Sequence, residues 1–594
     1  MRLVSTQRSG FIIAAILILG IVLLGATGLV LRGRVSRALA ATRPLTALVA
    51  KGDIQGGCAA IAPTSDAWAQ ADVISRPLAP VLHRLGWIPG IGGDLQIAPE
   101  LISLARQGTA AGVLGCTLVE PVLAEPAGPD RLSLAVQLLH QQPQQLDLVL
   151  QHLQHANAAW DRAAPYVDQS RLVAPYRTDL RRLGKQLSTA VQMVKTMRRL
   201  APQLPVLLGV DATRHYLVVL QNPFELRATG GFMGVICVVR VDHARPTLRG
   251  CRPSEAYGTP APDTSAMPFP YSRYLRLSDY YLRDANWSPD FPTAARTLQH
   301  FWALNGQTPV DGVIAADPYA LIPILAAVGP IAVGDGTQMQ AATVVDVLMR
   351  QYYDGATFRD KGGLAELVPL LLERLFTTEV STLPAFIAGI RTAFVERHLA
   401  VAVNDAASAA FLAEMGWDGG IRATEGDTLR IVESDVGYGA VNAFVERLTA
   451  YDVTLDRSTA PLTATLTLTW TNQYSPWAEA PTAYAVHGQC TDPTTLRLER
   501  RSGCYASYVR IYVPQGSRLL DAAGFEEVFQ PEDRYQRTVF AGYLRVMPGE
   551  RRVVQLRYRL PSVKPGKLLV EKQPGTLAPP LLVRLHSAGE RAER

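Results

Sequence analysis

The chain has 594 residues, 48% of them hydrophobic and 19% charged, with a formal net charge of +6. That apolar fraction excludes a disordered chain, and the length allows three or four domains, because single cores rarely exceed about 250 residues. The small positive excess comes with no basic stripe interleaved with aromatics, so there is no nucleic-acid footprint.

Residues 1–8 read as a short cytoplasmic tail. Residues 9–31 carry no charged side chain, and GFIIAAILILGIVLLGATGLVL spans roughly 33 Å as a helix, enough to cross a hydrocarbon core. A single transmembrane helix is expected there, with the C-terminal body outside the cytoplasm at the cell membrane. Ala38, Leu39 and Ala40 also offer an A-x-A-like cleavage site, so an uncleaved anchor and a removed leader both stand. Arg2 and Arg8 precede the run while Arg32, Arg34 and Arg37 follow it, so the positive-inside count is ambiguous.

Residues 32–205 read as an extracytoplasmic helical domain. Leu180, Leu183, Leu187, Val191 and Val194 recur at three- and four-residue spacing, and breaks such as WIPGIGGD separate such runs, as in an antiparallel bundle. His152 and His155 share a helical face, but no H-E-x-x-H or carboxylate motif accompanies them and no zinc site is expected.

Residues 206–448 change to an α/β pattern. In HYLVVLQNPFELRATGGFMGVICVVRV (215–241) two apolar, β-branched runs flank a polar, glycine-bearing segment, which predicts strand, loop, strand. Glu225 and Arg227 lie two apart, so an extended backbone points both to one side. Two readings stand: an anion-facing edge, or an internal salt bridge in a hairpin shaped by glycines. Further on, residues 293–304 predict a helix, VDGVIAA (310–316) a buried strand, and residues 319–328 another helix. Asp317 falls at the carboxyl end of that strand, where open α/β sheets place ligands; helix capping alone also explains it.

Residues 449–586 turn to alternating strands, notably LTATLTLTW (462–470), and predict a β-sandwich of immunoglobulin-like character; residues 587–594 read as a loose tail. The arginines at 545, 551, 552, 557 and 559 offer an edge for anionic polymer or an ordinary soluble face. The six cysteines fall as Cys58 and Cys116, Cys237 and Cys251, and Cys490 and Cys504, each pair within one apparent domain and none with C-x-x-C spacing. Disulfides in an oxidising compartment are the first reading and buried free thiols the second. No phosphate loop, G-x-S-x-G elbow or C-x-x-C pair is present, which lowers nucleotide-driven, hydrolase and redox classes.

The motifs LQNPFELRATGGFMG (220–234), NWSPDFP (286–292), VDGVIAADPYAL (310–321) with GPI (329–331), GWDG (416–419), YVPQGS and LRVMPGE together resemble a bacterial exported family, domain of unknown function four-zero-one-two. Q-N-x-x-E-x-R-x-x-G-G-F is the specific part. That family in turn looks distantly like the LytR-CpsA-Psr phosphotransferases, which move glycopolymers from a polyprenyl-pyrophosphate carrier to peptidoglycan. The resemblance implies a multidomain α+β chain: transmembrane helix, helical bundle, LytR-CpsA-Psr-like α/β domain and C-terminal β-sandwich.

It also implies roles. Arginine meets phosphate bidentately, which makes Arg227, Arg283, Arg350 and Arg359 the pyrophosphate candidates. Glu225 and Asp290 would hold a magnesium ion, and Asp317 or Asp284 would take the proton of an attacking sugar hydroxyl. The proline-arginine-aspartate strand motif of those transferases is missing. Two functions are therefore carried forward: a glycopolymer transferase, and a non-catalytic envelope scaffold or adhesion protein whose arginines are neutralised internally.

Overall fold

The computed structural model describes residues 5–587 except 52, 127, 335, 354–361, 378–381, 425, 438, 456–461, 476–489, 500–502 and 562–567; residues 5–26, 349–353 and 362–366 are among those given as backbone alone. Two compact units result, one up to Pro205 and one from Val206 onward.

The first unit is helical: α1 (Ser5–Ala50), α2 (Ile54–Arg84), α3 (Gly92–Ala124), α4 (Pro129–Gln141), α5 (Pro143–Ala163) and α6 (Arg177–Leu200). Asp53 caps α2 by accepting the Gly56 N–H at 2.8 Å. Proline opens α4 and α5, where its missing N–H has no intrahelical partner to lose. Cys58 of α2 is bonded to Cys116 of α3, and buried Glu100 of α3 accepts from Arg162 of α5 at 2.9 Å.

The expected transmembrane helix over 9–31 is corrected here. Among the described residues no helix is long and apolar enough to cross a membrane. The apolar run does not end as a separate span; α1 continues to Ala50, and its second half carries Arg32, Arg34, Arg37 and Arg43. That half packs on protein: Ala38, with Leu31 and Val35, lies against Trp68 and Ala71 of α2 and Ile102 of α3. The architecture is α+β, with fourteen α-helices and several sheets among the described residues.

The second unit opens, after the single turn α7 (Leu204–Leu207), on β1 (Arg214–Asn222), β2 (Phe232–Asp242) and β3 (Arg245–Pro253). α8 (Phe269–Tyr274) and α9 (Phe291–Leu304) precede β4 (Gly312–Ala316), which α10 (Leu321–Val328) follows. Then come the short pair β5 (Ile331–Ala332) and β6 (Gln338–Met339), helices α11 (Val344–Tyr353), α12 (Gly362–Thr377) and α13 (Leu383–Val395), strand β7 (Leu399–Val403) and α14 (Ala406–Met415). The sheet order is β3-β2-β1-β4-β7; only β1 and β4 run parallel. Cys237 and Cys251, register partners on β2 and β3, are disulfide-bonded.

The remaining strands are β8 (Asp427–Asp435), β9 (Val445–Leu455), β10 (Thr463–Asn472), β11 (Cys490–Thr491), β12 (Leu498–Glu499), β13 (Tyr505–Pro514), β14 (Arg518–Ala523), β15 (Glu527–Arg534), β16 (Arg537–Val546), β17 (Arg551–Arg559), β18 (Leu568–Glu571) and β19 (Leu581–Ser587). Ten of them form two five-stranded sheets, β14-β17-β10-β9-β19 and β15-β16-β13-β8-β18, around a core with Trp470, Phe540 and Tyr558, while β11 and β12 pair with each other. Cys490 and Cys504 are bonded. A second core joins this sandwich to the mixed sheet: Leu217, Val219 and Ile236 share a cluster with α9 and with Cys504, Ala506 and Tyr543. Tyr274 of α8 stacks on Tyr543 of β16 with ring centroids 3.8 Å apart.

Candidate functional site

The loop between β1 and β2 forms because Pro223 ends the β1 ladder and the Asn222 side chain then accepts the Phe224 N–H at 3.0 Å, an Asx turn. Two glycines close it: at Gly231, with φ +155°, a Cβ would lie 2.1 Å from the Asn222 oxygen. Polar side chains lock the interior. Thr229 donates to Gln221 at 2.7 Å, and the Asn286 amide donates to Thr229 at 3.0 Å and to the Gly231 oxygen at 2.8 Å.

Arg227 is 3% exposed, and its guanidinium is occupied. It donates to Glu225 at 2.6 Å and to the main-chain oxygen of Asp435 on β8 at 2.6 Å, and lies 5.3 Å over the Tyr271 ring. In return the Asp435 N–H donates to the Leu226 oxygen at 2.7 Å, and the Gln573 amide donates to the Arg227 oxygen at 3.2 Å. Burial works against the charge, but Tyr271, Glu225, Asp284 and Asp435 hold the guanidinium well above its ordinary value. Burial also lifts the Asp435 carboxyl, helped by Glu225 and opposed by Arg227.

The NWSPDFP segment docks on the sandwich in the same manner. Arg510 of β13 donates to the Trp287 oxygen at 3.0 Å with its guanidinium 4.3 Å over the indole, and Arg430 of β8 donates to the Pro289 oxygen at 3.0 Å. Arg430 is fully buried near Glu571, which pairs with Arg397 at 2.7 Å and Arg537 at 2.5 Å; desolvation first, then Arg397, push Arg430 down to about 9. Asp290 caps α9: its Oδ2 accepts the Thr293 hydroxyl at 2.6 Å and its Oδ1 the Ile421 N–H at 3.0 Å. With Asp290 spent on these donors and Glu225 on Arg227, the two do not fit a magnesium ion, which needs free carboxylate oxygens. Among the described residues no group of three or more His, Cys, Asp and Glu could hold a metal ion.

Asp284 is buried beside this cluster. Arg283, with its guanidinium 4.7 Å over Tyr281, reaches its Oδ2 at 3.5 Å as an ion pair. Burial lifts the Asp284 carboxyl above the usual range while Arg227 and Arg283 pull it down. The Arg350 side chain and all of Arg359 lie outside the described residues.

Asp317, at the carboxyl end of β4, belongs to a separate set. Its Oδ1 accepts the Tyr319 N–H at 2.9 Å, and its Oδ2 accepts the Gly575 N–H at 3.0 Å and lies 2.9 Å from His398 Nδ1. His398 Nε2 lies 2.8 Å from the Lys572 amine, which pairs with Glu396 at 3.2 Å and is depressed by burial. Carboxylate, imidazole and amine form a chain that can pass a proton. His398 and Lys572 went unread in the sequence, because neither sits in a motif and they are 174 residues apart.

Residues 211–353 match the model of a family described as "Protein of unknown function (DUF4012)". This stretch is a DUF4012 domain. It takes in β1 to β6, and Arg227 reaches beyond it to β8, so the DUF4012 signature loop completes its hydrogen bonds on the sandwich. No curated protein and no solved structure matches the chain, and the likeness of the DUF4012 domain to LytR-CpsA-Psr phosphotransferases finds no support there.

Proposed function

We propose that this is an extracytoplasmic cell-envelope protein of the scaffold or adhesion type, in which the DUF4012 domain and the sandwich are clasped together. The observation that carries the reading is the occupied guanidinium of Arg227, paired with Glu225 and with the Asp435 main chain. A phosphate receptor needs spare positive charge facing a ligand, whereas a buried guanidinium matched by its own carboxylate contributes to shape. Three disulfides favour an oxidising compartment, which agrees with a position in the envelope.

A second reading is favoured by one specific observation. The chain from Asp317 through His398 to Lys572 sits at a strand end and suits general-base chemistry. It supports transfer of a glycan from polyprenyl pyrophosphate to peptidoglycan, with the burial-lowered Lys572 amine taking the proton of the attacking hydroxyl and handing one to His398 Nε2.

Native mass spectrometry of the purified chain separates the two, run on wild type, Arg227→Ala and Asp317→Asn. The scaffold reading expects no polyprenyl lipid on any of the three. Co-purified lipid on wild type that Arg227→Ala loses while still folded would replace it with the transferase.

A further inference from the structure

An open cleft of about 450 Å³ lies between the edge strand β3 and the turn that follows α9, and it shares no lining residue with the Arg227 clasp or the Asp317 chain. Its polar lining is His215, Arg249, Arg252 and Gln307, with Tyr257 and Trp302 behind them. No carboxylate lines it. Arg249 and Arg252 are both exposed, and among the described residues neither has an ion-pair partner. Arg227, Arg447 and Arg545 are each matched by a carboxylate, whereas Arg249 and Arg252 bring two guanidiniums to one concavity that no carboxylate lines.

The backbone presents them rigidly. Between β2 and β3 the register slips: Val238 faces Gly250 and Val239 faces Leu248, which makes Arg249 the extra residue of a β-bulge. Bulges re-aim side chains and recur beside binding sites. Gly250 follows with φ +154°, and a Cβ there would meet nothing within 4 Å. One residue on, the Cys237–Cys251 disulfide ties the edge strand to its neighbour, between the two arginines in sequence. Tyr257 and Trp302 rings pack 5.0 Å apart at the back of the cleft.

We infer that this cleft binds a glycan carrying phosphate or carboxylate groups. The two guanidiniums meet the anion in forked geometry, His215 and Gln307 serve hydroxyls, and the buried Tyr257 and Trp302 close the apolar floor beneath them. The volume falls in the range that holds one or two sugar rings, since small-molecule sites run about 300–1,000 Å³. The inference goes beyond the scaffold reading, because a transferase could use the same cleft.

The test immobilises the full chain and measures binding of polyglycerol phosphate, polygalacturonate and neutral dextran, with inorganic phosphate as competitor. Wild type should bind one or both polyanions and not dextran, and Arg249→Gln/Arg252→Gln should weaken that binding at least tenfold. Arg497→Gln/Arg518→Gln, which removes the same charge from exposed positions just before β12 and on β14, should leave it within twofold. Binding of only one polymer identifies the anion as phosphate or carboxylate. Binding of neither, or equal loss in the two double variants, overturns the inference.

Discussion

The Arg227 guanidinium donates at 2.6 Å to the main-chain oxygen of Asp435, 208 residues further along the chain. One side chain of the DUF4012 domain thus closes a contact with the first strand of the sandwich. Its partner Glu225 neutralises it within the same loop. Removing one member of such a buried pair leaves the other charge without compensation.

Arg227→Ala should therefore destabilise the second unit by about 3–5 kcal/mol, while Arg227→Ala combined with Glu225→Gln should cost less than the two single changes added. Chemical denaturation of the four proteins measures the coupling. Additive losses would mean that the two side chains act independently.

Gly575 follows β18 with φ +75°, and a Cβ there would lie 1.8 Å from the Gly230 oxygen of the signature loop. That oxygen is backbone and cannot swing aside. Gly575→Ala should lower the unfolding midpoint strongly, whereas Gly549→Ala, at φ +75° with nothing within 4 Å, should show only the smaller cost of its backbone angle. Thermal unfolding of both variants checks the contrast.

Asp284 makes stability depend on pH. Burial raises its folded-state value above the unfolded one, so its contribution is complete below the ordinary aspartate range and is lost as pH rises through the folded-state value. Wild type should weaken as pH rises above the ordinary aspartate range, and Asp284→Asn should flatten the slope. Asp435, also raised by burial, keeps part of the slope in the variant. Urea midpoints across the range give the two curves.

The Cys58–Cys116 bond closes a separation of 58 residues, against 14 for Cys237–Cys251. In the chain-entropy account the longer loop contributes more, so Cys58→Ser/Cys116→Ser should cost about 4 kcal/mol and Cys237→Ser/Cys251→Ser about 3 kcal/mol. Differential scanning calorimetry, which resolves the two units, tells which transition each pair moves.

Local pattern carried part of this fold openly. The alternation of residues 462–470 reappears as alternating burial along β10, and the helix expected over 293–304 is α9, which starts two residues earlier at Phe291. Other elements left no local trace. β8 is buried at most positions and so lacks a period of two, which hides a sandwich strand inside a stretch that reads as the end of an α/β domain. The run at 9–31 is apolar enough to suggest a span, yet the arginines from Arg32 onward belong to the same helix, and Leu31, Val35 and Ala38 between them pack on Trp68. At the site, the Glu225 and Arg227 pairing was one of two readings of residues two apart. Its anchor at Asp435 depends on a long-range contact that no spacing encodes.

Amide hydrogen exchange on wild type and Arg227→Ala tests the clasp most directly. The account predicts faster exchange both in the loop 221–234 and in residues 433–437 at the end of β8, where the Asp435 N–H is bonded to the Leu226 oxygen. Faster exchange in the loop alone, with β8 protected as in wild type, would contradict it.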